Sequence, residues 1–308
     1  MKVSIIIPSY NHSQFLQQRL ESIYLQTFRD WEAIIMDDKS TDNSVEIIEK
    51  FIENNPAFKV KLFVVNETNS GSGYFSWQKG IELADTEYIW IAETDDYSEP
   101  TFLEEMVEIL DHNDIVPLVF CGSNYVQNNE IIYDSNNRTK DLNVEIGKYK
   151  IISGEILLNK MPFDTYITNG SSVVFRKPKE KMDFELFNNR QSSDLFLWSF
   201  LVQDGEFVFL NKNLNFFRRH KNSTTTKINI SSKKIIYEEM LKYINFFQQN
   251  YKFQVFLDYY VEHYVWSNKK EVLNYKFLRQ IKGFSEIDLK YFKTIVKFII
   301  LKIKSIWK

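Results

Sequence analysis

Val3-Ser4-Ile5-Ile6-Ile7-Pro8-Ser9-Tyr10-Asn11 is an apolar run stopped by a proline and followed at once by polar residues. A run without a wet face reads as a strand buried on both sides, the kind found in parallel sheets. Working outward, Phe15, Leu16, Leu20, Ile23 and Tyr24 recur at helical spacing, with Asn11 or Ser13 placed to cap the helix start. A second short strand is expected over residues 32–36. Val45, Ile47, Ile48, Phe51 and Ile52 line a second helix that closes before Pro56. A strand over 60–65, a helix over 74–84 and a strand over 88–92 complete a βαβαβαβ series. That series predicts a mostly parallel sheet with right-handed crossovers.

Beyond Pro100 the texture becomes α+β. A helix is expected over 102–110 and a strand over 118–125. Residues 126–150 are polar and rich in asparagine and read as a loop or an irregular hairpin. A helix near 153–159, a strand near 171–176, a helix over 194–202 and two strands near 207–210 and 215–219 follow. From about residue 233 the chain reads as helical, aromatic and lysine-rich.

Composition narrows the function classes. The chain has 308 residues, 44% hydrophobic and 26% charged, enough to bury a core. One cysteine, Cys121, excludes an internal disulfide framework, and four histidines with it give no Cys/His cluster for structural zinc. A net charge of −3 argues against general nucleic-acid binding. The first apolar run is too short for a leader, and no uncharged stretch reaches the roughly 20 residues of a spanning helix. A cytoplasmic protein is expected.

Three polar clusters follow three of the expected strands: Pro8-Ser9-Tyr10-Asn11, Asp37-Asp38-Lys39-Ser40-Thr41-Asp42 and Glu93-Thr94-Asp95-Asp96. Open parallel sheets bind ligands at the carboxyl ends of their strands, so three clusters arriving at one edge mark a site. Two hold adjacent carboxylates, which repel unless a cation or donors compensate. There is no G-x-x-x-x-G-K-[ST] loop. Gly71-Ser72-Gly73 begins like a dinucleotide fingerprint, but Ser76 stands where the third glycine belongs and the segment follows the third strand.

The run from Ser4 to Asn11, Ser22-Ile23, Gln26-Thr27, Trp31-Glu32, Asp37 to Asp42, Asn69-Ser70-Gly71, Glu87-Tyr88-Ile89 and Thr94-Asp95-Asp96 together resemble glycosyltransferase family 2. The resemblance is strong over residues 1–125 and extends weakly to His220. It implies an α/β GT-A fold, a Rossmann-like nucleotide-binding half with a mixed central sheet. It also implies a nucleoside-diphosphate-sugar donor, Mn²⁺ or Mg²⁺, and inversion at the anomeric carbon. The expected domains are 1–230, with a nucleotide-sugar half (1–100) and an acceptor half (101–230), and a helical C-terminal extension, 231–308, which lies outside the resemblance.

The resemblance also implies residue roles. Asp96 would ligate the metal and Asp95 would face the ribose or the metal waters. A metal held by carboxylates and phosphate oxygens stabilises the departing diphosphate. Asp38 would read the base, since a carboxylate accepts well from the ring N–H of uracil; it also suits the start of the second helix. Pro8, Ser9 and Tyr10 would lie against base and ribose, and Lys79 would approach the diphosphate. Asp194, in the first turn of its helix, would be the base that takes the acceptor's proton, with Asp183 and Glu185 as competitors. Arg218 and His220 have the spacing of an Arg-x-His over the diphosphate or the metal, with His220 a metal ligand. Residues 169–172 would form part of the acceptor wall. His12, His112 and His263 read as ordinary structural histidines.

The expected function is inverting, metal-dependent transfer of a sugar, from a UDP-sugar by preference, to a glycan or lipid-linked acceptor in bacterial surface-polysaccharide assembly. Two alternatives stand beside it. Thr94 in the acid motif and Ser193 beside Asp194 permit a catalytically silent nucleotide- or sugar-binding module. A nucleotidyltransferase would need a basic glycine-rich loop near the first strand, which is absent.

The last twenty residues form a pattern of their own. Lys290, Lys293, Lys297, Lys304 and Lys308 fall in a sector of about 60° at about 100° per residue. Phe292, Ile295, Val296, Ile299, Ile303, Ile306 and Trp307 cover the other side. Such a helix suits an anionic membrane surface at the inner face of the cell membrane, or packing on the domain or on a second copy of the chain.

Overall fold

The computed structural model describes residues 1–220 and 230–252, with isolated positions at 255, 256, 259 and 296. The chain divides into two compact units, Met1–Thr226 and Lys227–Lys308. The first begins β1 (Val3–Ser9), α1 (Ser13–Tyr24), β2 (Trp31–Asp37), α2 (Ser44–Asn54), β3 (Val60–Val65), α3 (Gly73–Leu83) and β4 (Tyr88–Ile91). It continues through β5 (Tyr97–Ser98), α4 (Phe102–Asp111), β6 (Leu118–Gln127), β7 (Glu130–Asp134), α5 (Asn136–Thr139) and β8 (Tyr149–Ser153). α6 (Gly154–Lys160), β9 (Val173–Arg176), α7 (Ser193–Val202) and β10 (Glu206–Arg218) complete it. In the second unit α8 spans Ile230–Phe246. Among the described residues no helix is long and apolar enough to cross a membrane.

One mixed sheet organises the first unit, in the order β3-β2-β1-β4-β9-β6-β10-β5. β3, β2, β1 and β4 run parallel; β9 is antiparallel to both β4 and β6, and β6 and β10 are parallel again. Every residue of β1 is buried, as the unbroken apolar run requires. Val3, Ile5 and Ile7 pack with Leu16, Leu20 and Ile23 of α1 and with Ile48 and Phe51 of α2. Each such side chain contributes about 1.5–3 kcal/mol on burial. On the other face, a Cβ placed on Gly80 of α3 would stand 2.5 Å from Ile6 Cγ2, so the glycine sets how closely the helix approaches.

The structure departs from the sequence reading in three places and decides between two alternatives in a fourth. The two strands expected near 207–210 and 215–219 are one thirteen-residue strand, β10, whose register against β6 shifts between Leu210 and Asn213 and between Asn213 and Asn215. Bulges let one strand pass the asparagine-rich middle that reads as a break. Within residues 126–150, of the expected loop or irregular hairpin, the hairpin is what forms: β7 returns on β6 through Asn128 and Asn129, both at positive φ (53° and 65°). The short strands β5 and β8 both pair with β10. Neither Asn11 nor Ser13 caps α1: the N-cap is His12, which makes no side-chain cap bond.

Candidate active site

The carboxyl ends of β1, β2 and β4 meet the end of β10. Asn11 turns at φ 52° and Lys39 at φ 61°, so the chain leaves β1 and β2 through left-handed residues. Asn11 Oδ1 accepts from the backbone N–H groups of Thr41 (2.7 Å) and Asp42 (3.3 Å), tying the first polar cluster to the second. Asp37 is buried and accepts from Ser9 Oγ at 2.9 Å and from Ser40 Oγ at 2.6 Å. Pro8 is buried too, whereas the Tyr10 side chain is exposed.

Asp38 faces the other way. Its carboxylate accepts from Asn66 Nδ2 (2.8 Å), from Ser70 Oγ (2.8 Å) and from the Ser70 backbone N–H (2.9 and 3.0 Å). It therefore anchors the segment between β3 and α3 instead of capping α2. Beside it opens a cavity of about 290 Å³, with Met36, Asn66, Ser70, Phe75 and the exposed Lys79 on its wall. Lys79 thus shares this wall with Asn66 and Ser70, the two residues that Asp38 holds.

The acidic turn Glu93–Asp96 lies between β4 and β5, and its side chains diverge. Asp96 is only 1% exposed. Its carboxylate accepts from Asn169 Nδ2 at 2.5 Å and from the Arg218 backbone N–H at 3.0 Å. Burial and the adjacent Asp95 charge raise its pKa. The expected metal ligand is therefore held inward by protein donors. Asp95, expected at the ribose or the metal waters, meets His220: Oδ2 lies 3.0 Å from Nε2. Burial alone would raise the Asp95 carboxyl, but the His220 hydrogen bond and nearby positive charge outweigh it and leave the pKa lowered. Glu93 accepts from Trp77 Nε1 at 2.7 Å; burial and the two aspartates push it up to about 8.

The turn is braced from behind. Fully buried Arg19 donates to the Glu93 carbonyl (2.7 Å) and to Ser171 Oγ (3.0 Å). Arg218 donates to the Asp95 carbonyl at 2.6 Å and to Gln18, with Phe15 and Tyr97 flanking its guanidinium. Residues 169–172 are buried and support this turn, where the resemblance implied an acceptor wall.

The sequence reading took His12 for an ordinary structural histidine. One ligand atom each from His12, Asp95 and His220 lie within 4.8 Å of one another. His12 Nδ1 is 2.7 Å from Thr94 Oγ1, and burial lowers its pKa. Its signal in the sequence was its place directly after the first polar cluster. The donor set, two imidazoles and a carboxylate, fits a divalent ion.

Asp194 sits in the first turn of α7, where its Oδ1 accepts from Tyr74 Oη at 3.2 Å. Tyr74 packs edge-on against Trp77 at 5.1 Å, and Trp77 holds Glu93, so a continuous path joins Asp194 to the acidic turn. Tyr74 was also missed; a tyrosine in a helix start carries no distinguishing pattern. Ser193 Oγ is engaged by the Asn189 backbone. Asp183 caps the turn at 184–186 through the Glu185 N–H.

The sequence profile described as Glycosyl transferase family 2 matches residues 4–181. The chain is 26% identical over 249 residues to "Glycosyltransferase GlyG" of Streptococcus pneumoniae serotype 4, covering 79% of each chain. Residues 1–349 of Staphylococcus aureus TarS, solved in complex with UDP, superpose with a TM-score of 0.60 at 20% identity, over 90% of this chain and 77% of that one. Mannosyltransferase PcManGT from Pyrobaculum calidifontis, solved with GDP-Man and Mn²⁺, gives 0.57 at 15% identity, over 98% and 80%. At these identities the structural likeness is one of fold.

Proposed function

The chain belongs to glycosyltransferase family 2 and has the GT-A fold, and from that premise we propose that it moves a sugar from a UDP-sugar to a hydroxyl of a glycan or lipid-linked acceptor, inverting the anomeric carbon. The observation that carries this is the meeting, at one sheet edge, of a carboxylate beside a cavity (Asp38), a carboxylate–histidine pair (Asp95 and His220) and a carboxylate in a helix first turn (Asp194). Bound UDP in the TarS structure supports the choice of donor, and Mn²⁺ in the mannosyltransferase supports the choice of cofactor.

Each residue has a task in this reading. Asp38 and its partners Asn66 and Ser70 fix the nucleobase. Lys79, on the cavity wall with Asn66 and Ser70, offsets diphosphate charge. Asp95 and His220 hold the divalent cation, which when bound neutralises the departing diphosphate. Asp96 shapes the turn from inside. Asp194 accepts the acceptor hydroxyl's proton as it attacks, and a base at this step contributes about 10²–10⁴-fold. Family and fold favour this over a silent module. Thr94, which permitted that alternative, is a buried link between Pro8 and His12 and not a lost ligand.

The test is a panel of nucleotide sugars with Mn²⁺ or Mg²⁺, scored for nucleotide release and, by NMR, for product anomer. Turnover of a UDP-sugar with inversion supports the proposal. Turnover only of other donors, or retention, overturns it. We also propose, from the sequence pattern alone, that residues 289–308 lie on an anionic membrane surface. That stretch falls outside the described residues apart from Val296. Co-sedimentation with anionic liposomes should be lost on truncation before Ile287, and equal binding by both chains would retire the idea.

A further inference from the structure

We propose that His12 is a third protein ligand of the divalent cation, so that the site is a two-histidine, one-carboxylate set that selects Mn²⁺ over Mg²⁺. The inference rests on reading the Asp95–His220 pair as the cation site. The first support is distance. A cation bonded at about 2.0–2.4 Å spans at most about 4.8 Å between opposite ligands. The candidate atoms of His12, Asp95 and His220 all fall within 4.8 Å of one another.

The second support is the tautomer. The Thr94 hydroxyl has one proton, and it goes to the Pro8 carbonyl at 3.1 Å. With that proton assigned to Pro8, the hydroxyl accepts at the 2.7 Å contact with His12 Nδ1, an assignment that places the imidazole hydrogen on Nδ1. The lone pair is left on Nε2. A ligating imidazole is oriented in the same way, by a hydrogen bond from its other nitrogen.

The third support is position. N-caps favour Ser, Thr, Asp or Asn, because these supply an oxygen to a free N–H. His12 occupies the N-cap of α1 and makes no side-chain cap bond. Its place is fixed instead by a bond from its backbone N–H to Ser44 Oγ (3.2 Å) and by the left-handed turn at Asn11. Phe15 packs on both imidazoles, at 6.1 Å from His12 and 4.7 Å from His220, and the two rings meet edge to face at 5.8 Å. Mg²⁺ prefers an all-oxygen shell and binds imidazole poorly, whereas two nitrogens suit a first-row transition ion.

The experiment titrates the full chain with Mn²⁺, with and without UDP, and follows free Mn²⁺ by electron paramagnetic resonance. His12→Gln should weaken Mn²⁺ binding by about 10-fold or more. His12→Ser should do the same while supplying a capping hydroxyl that protects the helix start. Pulsed resonance should detect two coupled nitrogens in the native protein and one in either variant, and Mg²⁺ should compete better in the variants. One nitrogen in the native protein, or unchanged Mn²⁺ affinity in both variants, removes His12 from the ligand set and leaves the Asp95–His220 reading standing. No Mn²⁺ binding by the native chain, with or without UDP, overturns both.

Discussion

His220 Nε2 lies 3.0 Å from Asp95 Oδ2, although 125 residues separate the two in the chain. The neighbouring Asp96 points away from this pair, toward Asn169 and Arg218. Adjacent aspartates should therefore fail in different ways. Asp95→Ala should leave the thermal midpoint near that of the native chain and abolish Mn²⁺ binding. Asp96→Ala should strand two buried donors and cost about 1–3 kcal/mol in denaturant unfolding. If Asp96→Ala is as stable as the native chain but loses the cation, the assignments are reversed.

Asp194→Asn keeps the shape of the side chain and removes its basicity. Turnover should fall by about 10²–10⁴-fold, with donor affinity nearly unchanged. Tyr74→Phe removes the hydroxyl that donates to Asp194 at 3.2 Å and should lower turnover less. In the Asp194→Asn background the tyrosine change should have no further effect. Independent, additive losses would separate the two residues.

Asp38→Asn replaces a carboxylate that takes donors from Asn66 and Ser70 with an amide that has one acceptor oxygen. The segment from 66 to 72 loses an anchor and the base loses its reader. The Michaelis constant for the donor should rise about 10-fold, the equivalent of about 1.4 kcal/mol, with turnover changed less. A turnover defect alone would place Asp38 outside the donor site.

A Cβ on Gly170 would come within 2.6 Å of the Trp77 ring. Gly170→Ala should therefore cost about 1–3 kcal/mol by overpacking. Because Trp77 also holds Glu93, it should lower activity as well. Full stability and activity would show that the tryptophan yields without consequence.

Cys121 is buried in β6, and burial pushes its thiol up to about 12. At pH 8 the thiolate fraction is on the order of one in ten thousand. The folded protein should resist a thiol reagent until denaturant is added. Prompt labelling in buffer would contradict the burial.

What the sequence disclosed follows from how each element announces itself. β1 is legible because Val3–Ile7 has no wet face, and α2 because its apolar residues keep a helical period. β8 is not, since four of its five residues are exposed and it is a strand only by pairing with β10. β5 is two residues long and has no period to read. In the site, the acid motif was visible, but which aspartate faces inward is decided by Asn169 and Arg218, far along the chain. His12 stayed hidden because a single histidine means nothing until the fold brings His220 to it.

The single strand β10 also limits where the chain can change length. Its first half is registered on β8, its second on β5, and its end delivers the Arg218 backbone to Asp96 and His220 to Asp95. One residue gained or lost between 215 and 218, where the pairing with β6 runs without a shift, would turn every later side chain to the opposite face of the sheet. His220 would then leave Asp95 even though no residue of the site had changed. The hairpin tip at Asn128–Asn129 carries no such burden. Tolerance of insertions should thus be generous at that tip and nil a few residues before Arg218, a partition that a transposon-insertion map of the gene would display directly.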